Sequence, residues 1–466
     1  MNPEHFDLIV IGAGSAARDG AQKAATEHGA RVALVERTRW GGSCPNVACK
    51  PTKAILVAAE LVHDINEHAE LLGIEVGPAR ANLAKVKARK DELVGPQSAW
   101  TERLEKAGYT LVDGVATFVD ARSVRVGERL LTADRFLVAT GSRTAVPPIE
   151  GIEEIDWIDH VSALELTELP ESMLVLGGGA VGLEFAQAFC RFGSKVTIVD
   201  ALERIAPRSD ADASAEVAAA FEDEGIEIVT STFVKSVRRD GGELVATLAP
   251  RDGSPERELR VTKLLLASGR VPNVEELDLG AAGVETTKAG IAVDEHTRTS
   301  APGIWAAGDV TAIAQFTPIA QYQARIAIDD MFSPNGRTAG YDALPTAIFT
   351  DPELAEIGLS EQDAVEQGFD VETATHPLSY VQRAAYTDAK RGLYKLVFER
   401  GSRRLLGVHV VARGGSDIVQ PYAIALKYGA TVDDVANAHH AFPTIAEGLK
   451  AAAEKAVAKV AEEVEI

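Results

Sequence analysis

The chain has 466 residues, with 47 Lys and Arg against 69 Asp and Glu, a formal net charge of −22. That balance argues against nucleic acid or an anionic membrane as a partner. With 46% hydrophobic and 25% charged residues, it reads as a soluble globular protein too long for one ordinary core, so two to four domains are expected.

No apolar run reaches the length of a membrane span. The N-terminus, Met1-Asn-Pro-Glu-His, leads directly into a strand without a basic, apolar signal region, and there are only three cysteines. A reducing cytoplasm is the expected location. Residues 6–17, Phe-Asp-Leu-Ile-Val-Ile-Gly-Ala-Gly-Ser-Ala-Ala, predict a buried parallel strand, a Gly-rich turn and a helix. Gly12 and Gly14 let the backbone approach a pyrophosphate that the helix N-terminus stabilises, and Ala17 is the third small residue of the fingerprint. Glu36 ends the next strand, 32–36, and can hydrogen-bond ribose hydroxyls.

The stretch Gly41-Gly42-Ser43-Cys44-Pro45-Asn46-Val47-Ala48-Cys49-Lys50-Pro51-Thr52-Lys53 holds two of the three cysteines. Residues five apart in a regular helix are displaced by roughly 7.5 Å along its axis, whereas a disulfide wants Cα atoms about 4.4–6.8 Å apart. A Cys44–Cys49 bridge therefore needs a distorted turn and would be easily reduced. Lys50 and Lys53 favour a nearby thiolate. Two neighbouring reduced cysteines are the alternative, and the spacing does not suit zinc.

A helical region is expected from 53 to about 106, broken near 73–78, then short strands at 110–118 and 123–126. Residues 136–142, Phe-Leu-Val-Ala-Thr-Gly-Ser, read as a buried strand ending at Gly141. A second nucleotide-binding unit follows. Residues 173–182, Met-Leu-Val-Leu-Gly-Gly-Gly-Ala-Val-Gly, place Gly177, Gly179 and Gly182 in GxGxxG spacing. Asp200, at the end of strand 195–199, accepts from the 2′-hydroxyl of NAD and repels a 2′-phosphate, which favours NADH over NADPH. Arg204 and Arg208 lie just beyond and are candidates for binding that phosphate. Leu264-Leu-Leu-Ala-Ser-Gly-Arg270 repeats the strand-to-Gly ending, so two dinucleotides are expected. Cys190 reads as a small buried hydrophobe. Gly303-Ile-Trp-Ala-Ala-Gly-Asp-Val-Thr311 is a strand and turn carrying an acid. From about 339, strands at 347–349, 392–399 and 405–411 alternate with helices at 416–428 and 445–463.

The cysteine segment resembles the GGxCxNxGCxPSK stretch of the class I FAD/NAD(P)-dependent pyridine nucleotide-disulfide oxidoreductases, which include glutathione reductase, lipoamide dehydrogenase and mercuric reductase. Ala48 and Thr52 stand where that family has Gly and Ser. The resemblance covers essentially the whole chain. It implies an α/β fold of two Rossmann-like dinucleotide-binding domains plus a C-terminal α+β dimerisation domain: 1–152 for FAD, 153–273 for NAD(P), 274–338 completing the FAD site, and 339–466 as the interface of a homodimer. It implies a redox-active Cys44–Cys49 disulfide, with Cys49 against the flavin and Cys44 exchanging with a small-molecule substrate. Gly12, Gly14, Glu36, Gly42, Ser43, Thr140, Gly141, Ser142 and Asp309 would hold FAD. Gly177, Gly179, Gly182, Asp200, Gly269 and Arg270 would hold NADH or NADPH. Lys53 would sit near the flavin N5, paired with Glu184.

One departure bears on substrate. Disulfide-exchanging members carry HxHPTxxE, whose second His is the acid–base group oriented by the Glu. Here the stretch is His440-Ala-Phe442-Pro-Thr-Ile-Ala-Glu447. Phe442 cannot move a proton, and losing such a group typically costs about 10²–10⁴-fold. A soft metal ion bound by two thiolates needs no such proton. Mercuric reductases keep the Glu and replace the His with Tyr, and share Pro377-Leu-Ser-Tyr-Val-Gln-Arg-Ala384 and Glu447-Gly-Leu-Lys450. Their N-terminal CxxC domain and C-terminal cysteine pair are not found in this sequence. The leading expectation is an NAD(P)H-dependent flavoenzyme acting on a thiol-reactive acceptor, Hg(II) first. His439 and His440 read as bystanders; the alternatives are a reductase of a lipoyl or small disulfide using His440 or water as the proton donor, and a flavoprotein carrier that passes electrons to a quinone or a partner protein.

Overall fold

A computed structural model describes residues 3–464. The chain divides into two compact units, each discontinuous in sequence. Among the described residues, no helix is long and apolar enough to cross a membrane.

The first unit comprises Met1–Ala54, Ala88–Ala145 and Gly269–Gly340. Its centre is a five-stranded sheet in the order Ile304–Ala306, Phe136–Val138, Leu8–Ile11, Val32–Glu36, Thr110–Asp113, parallel throughout. Leu8–Ile11 is buried along its whole length, as a continuous apolar run must be when both faces are covered. Helices Ser15–His28 and Thr317–Phe332 pack together over one face. A second sheet, Glu4–Phe6, Arg129–Ala133, Ser123–Val126 and Ala116–Asp120, closes the other.

The second unit comprises Ile55–Lys87, Val146–Ser268 and Tyr341–Ile466. It repeats the parallel theme with Glu227–Val229, Lys195–Val199, Ser172–Leu176 and Lys263–Leu266. A three-stranded antiparallel sheet adjoins it, Thr232–Asp240, Glu243–Pro250 and Arg257–Val261. The C-terminal part is a five-stranded antiparallel sheet ordered Thr346–Ile348, Glu353–Gly358, Leu405–Ala412, Leu393–Glu399, Val371–Pro377. Helices Val432–Asn437 and Glu447–Val464 cover it. Two of these strands, Glu353–Gly358 and Val371–Pro377, are not anticipated from the sequence. The expected helix 416–428 is two helices, Gly415–Ile418 and Gln420–Lys427, because Pro421 starts the second.

The second unit also buries charge. Lys395 is 1% exposed and donates to Asp210 at 3.0 Å, Asp212 at 2.7 Å and Glu361 at 2.7 Å. His409, also 1% exposed, bonds Glu356 through Nδ1 at 2.8 Å and the Leu359 carbonyl through Nε2 at 3.0 Å.

Candidate active site

Both Gly-rich turns have one geometry. Leu8–Ile11 runs into Gly12 at φ 112°, and a Cβ there would lie 2.3 Å from the Ala139 carbonyl oxygen. Ser172–Leu176 runs into Gly177 at φ 110°, with the Ala267 oxygen 2.5 Å from the Cβ position. Both positions require glycine for the fold itself. Gly182 does so by packing, since a Cβ would fall 1.9 Å from the Gly177 oxygen.

Gly14 and Gly179 differ. Their backbones are extended at φ −72° and −83°, open to any residue, and nothing lies within 4 Å of an added Cβ. The chain's own packing does not demand glycine at either position. The helices they precede, Ser15–His28 and Ala180–Phe192, have no capping side chain and no acid in the first turn. Elsewhere Asp159, Ser360 and Thr431 cap their helices. An uncapped helix start behind a bare glycine is a cradle for an anion, and the two cradles fit two pyrophosphates.

The acids at the ends of the following strands also match. Glu36 accepts from Ala13 N at 2.9 Å and Thr38 N at 2.8 Å. Asp200 accepts from Gly178 N at 2.6 Å and Leu202 N at 2.8 Å. Each carboxylate is thereby pinned across its glycine turn, with lone pairs left for ribose hydroxyls. Arg204 turns its Nη2 onto the carbonyls of Pro207 and Ser209, while Arg208 is exposed.

Thr140, Gly141, Ser142 and Asp309 converge in the first unit. Thr140 Oγ1 donates to the Asn273 carbonyl at 2.7 Å, and Asn273 N donates to the Gly141 carbonyl. Ser142 Oγ donates to Asp309 Oδ2 at 2.6 Å. Gly269 and Arg270, expected at the nicotinamide dinucleotide, also belong to this unit. Arg270 Nε donates to Ser142 Oγ at 2.7 Å and lies 3.6 Å from Asp309.

The cysteine stretch forms two helices, Ser43–Val47 and Cys49–His63. Ala48, at φ −135° and ψ −103°, interrupts them, so the two cysteines do not share a regular helix. Gly42 takes φ 77° and ψ −168°, a region essentially reserved for glycine, and a Cβ there would fall 2.3 Å from Gly14 Cα. The cysteine turn is thus seated on the first cradle. Ser43, which follows, is exposed.

Cys44 and Cys49 are free thiols, half-buried and exposed respectively. The hydrogen bond from Cys49 is the main cause that brings the Cys44 thiol down to about 6. The Thr317 hydroxyl and the charges of Arg18 and Lys53 add to it, and burial opposes it. Cys49 is pushed up by its bond to Cys44, by burial and by the charge on Cys44. One proton is therefore shared between two sulfurs at neutral pH. Lys53 stands one turn beyond Cys49 on Cys49–His63. Glu184 belongs to the second unit, where it is buried and accepts from Phe349 N at 3.1 Å.

At the C-terminal motif, Phe442 is 72% exposed. Glu447 opens its helix and accepts from Thr444 N at 2.9 Å. His440 is half-buried and His439 exposed. Burial and then the Lys450 charge hold His440 below its ordinary value, against Glu447 and Glu454.

Several supporting residues were not singled out from the sequence. Asn46 is buried and donates to the carbonyls of Trp40 at 3.0 Å and Gly42 at 2.7 Å, while accepting from Gln97 at 2.8 Å. Thr317 opens Thr317–Phe332 with its hydroxyl 3.8 Å from Cys49 Sγ. Trp100 covers Gly41. Thr317 and Trp100 carry little signal because they act on the cysteine stretch from far along the chain, whereas Asn46 lies within it.

Residues 6–324 match the family described as pyridine nucleotide-disulphide oxidoreductase, and residues 344–453 match its dimerisation domain. A mercuric reductase of Streptomyces lividans is 39% identical over 464 residues, covering 98% of this chain and 97% of that one. One from Lysinibacillus sphaericus is 35% identical over 97% of this chain and 83% of its own. Among solved structures, the Cu(II) complex of the HOCl-induced flavoprotein disulfide reductase RclA of Escherichia coli superposes with a TM-score of 0.85. It is 28% identical and covers 98% of this chain and all of its own. LpdA of Mycobacterium tuberculosis also superposes at 0.85, with 25% identity over 97% of this chain and 99% of that one.

Proposed function

The chain belongs to the pyridine nucleotide-disulphide oxidoreductases, FAD-dependent enzymes that use NAD(P)H, and from that premise we propose that it passes electrons through Cys44 and Cys49 to a soft metal ion, Hg(II) first. NAD(P)H, when bound, would supply two electrons as hydride, and FAD would relay them. The residues that would hold FAD are Gly12, Gly14, Glu36, Gly42, Ser43, Thr140, Gly141, Ser142 and Asp309, with Arg270 tying Ser142 to Asp309. Gly177, Gly179, Gly182 and Asp200 would hold the nicotinamide dinucleotide. The pinned Asp200 carboxylate favours NADH, since a 2′-phosphate would meet a fixed negative charge.

The carrying observation is the chemistry available around the cysteines. The Cys44 thiol, at about 6, is ionised at neutral pH without a base. Phe442, exposed and non-titratable, supplies no proton to a departing thiolate. A thiophilic cation asks for the first property and not the second: two sulfurs bind it as thiolates and their protons leave to water. Lys53 and Thr317 hold the negative charge at the pair in the meantime. The relatives named mercuric reductase support Hg(II), and the Cu(II) complex of a structural neighbour makes Cu(II) the second candidate. The dimerisation domain supports a homodimer.

Anaerobic NADH oxidation by the holoenzyme tests this with Hg(II), Cu(II), lipoamide, glutathione disulfide and a quinone as acceptors. Hg(II) is expected to sustain turnover that Cys44→Ser and Cys49→Ser each abolish, with disulfides slower by about 10²–10⁴-fold. Disulfide turnover matching the metal rate, and lost in His440→Ala, would replace this reading with a disulfide reductase. Quinone reduction as the sole activity, unchanged in Cys44→Ser, would replace it with a carrier.

A further inference from the structure

In the second cradle, Gly178 is gripped from both sides. Its N–H donates to Asp200, and its carbonyl accepts from Ala206 N at 2.7 Å. Ile205 packs against it so closely that a Cβ on Gly178 would come within 2.8 Å of Ile205 Cγ2. Residues 201–209 thus form a loop pressed onto the cradle. The loop is strained, because Ala206 takes φ 41°, a left-handed conformation that is costly for a residue with a Cβ. Such strain persists only where the surroundings fix it.

The fixing groups come from the C-terminal sheet. Ser209 N donates to the Ala206 carbonyl at 2.9 Å, and the next residue, Asp210, is buried. Asp210 N donates to Glu356 Oε1 at 2.8 Å, the atom that also bonds His409 Nδ1. Asp210 Oδ1 accepts from Lys395 at 3.0 Å, and Oδ2 from Glu361 N at 3.2 Å. Asp210 caps helix Ala211–Asp223, and Ser214 on that helix donates through Oγ to the Ile205 carbonyl at 2.6 Å. A buried ion pair seldom stabilises more than apolar packing of the same volume, and its best-attested use is to fix register. The register at stake here is that of the loop on the cradle. We propose that Lys395, acting through Asp210, is a positioning residue for the nicotinamide dinucleotide. It holds residues 201–209 in place, so that Gly178 and the Asp200 carboxylate stand where the dinucleotide needs them. The C-terminal sheet thereby takes part in a cofactor site built on another sheet.

The inference rests on the reading of the second cradle as the dinucleotide site. NADH oxidation by the FAD-loaded enzyme with ferricyanide gives KM and kcat, and thermal unfolding gives Tm. Lys395→Met strands the buried Asp210, while the exposed Asp212 and Glu361 turn to water. It should lower Tm and raise the KM for NADH by about 2- to 30-fold, with kcat and FAD content unchanged. Adding Asp210→Asn to Lys395→Met removes the stranded charge, so Tm should recover while KM stays raised. Ser214→Ala is milder, should also raise KM, and decides the matter if neither Lys395 variant folds. Leu449→Ala, a lesion in the core of the same sheet, should lower Tm at the parental KM. A parental KM in any of the folded Lys395 or Ser214 variants overturns the assignment, and so does a KM that tracks Tm across all four proteins. Gly179→Ala separates the two ways of failing. A KM unmoved there as well sinks the cradle reading, and one raised there alone sinks only the role of Lys395.

Discussion

Replacing Gly14 or Gly179 with Ala separates what the fold needs from what the cofactors need. At φ −72° and −83° an alanine is unstrained, and its Cβ meets no atom within 4 Å. The apoprotein should lose no stability and should gain up to about 0.4–1 kcal/mol, because alanine restricts the unfolded chain. The same methyl occupies the space through which a pyrophosphate would approach the helix start. Pushing the phosphate out of reach of one backbone N–H removes a charge-assisted bond worth about 1.5–3 kcal/mol, or roughly 10- to 150-fold in affinity. Gly14→Ala should therefore keep its apoprotein melting temperature while FAD fluorescence titration shows weakening of that order. Gly179→Ala should keep FAD at full stoichiometry and raise the KM for NADH by the same factor, with kcat for ferricyanide reduction unchanged. Gly12→Ala is the contrast. Its left-handed φ and a carbonyl 2.3 Å from the new Cβ cost about 1–3 kcal/mol or more of folding stability. If Gly14→Ala holds FAD as tightly as the parent, or melts as early as Gly12→Ala, the cradle reading is refuted.

Two further outcomes test the surroundings. Asn46→Ala removes both props beneath the cysteine turn, costing roughly 1–3 kcal/mol per buried carbonyl left unpaired, while the exposed Gln97 amide turns to water. A lower melting temperature and faster amide exchange over residues 40–49 should follow, and neither change would mean the turn holds itself. His409 concerns pH. Burial alone would lower its pKa, but the bond to Glu356, the charges of Glu356 and Asp210 and the Leu359 carbonyl outweigh that and raise it. The raised native value makes its contribution complete below the unfolded pKa near 6.5, and it fades as pH climbs through the native value. His409→Gln should cost about 3–5 kcal/mol at pH 6 and less at pH 9. A loss that is equal at both pH values would show that His409 is not charged in the native state.

The parts of this protein that stand out in the sequence are those whose geometry is imposed locally. Leu8–Ile11 and Ser172–Leu176 read as buried strands because both faces are apolar, and the glycines after them mark turns that no other residue can make. Two strands of the C-terminal sheet that the sequence did not announce, Glu353–Gly358 and Val371–Pro377, carry acids that look solvent-facing but are buried by partners far away. Glu356 bonds His409, 53 residues on, and Glu372 meets Arg400 at 2.6 Å. Lys395 is hidden in the same way, as a polar residue in a strand that only three distant acids make tolerable inside. The redox site divides along the same line. The cysteine spacing announces that a regular helix cannot hold the pair, and the break at Ala48 is that incompatibility realised in the backbone. The bond between the two cysteines, which dominates the ionisation of Cys44, is local to the stretch, and Thr317 adds to it from the start of a helix 268 residues past Cys49. A local motif can therefore specify where two thiols are brought together. How reactive they are depends also on groups that only the folded chain brings within range.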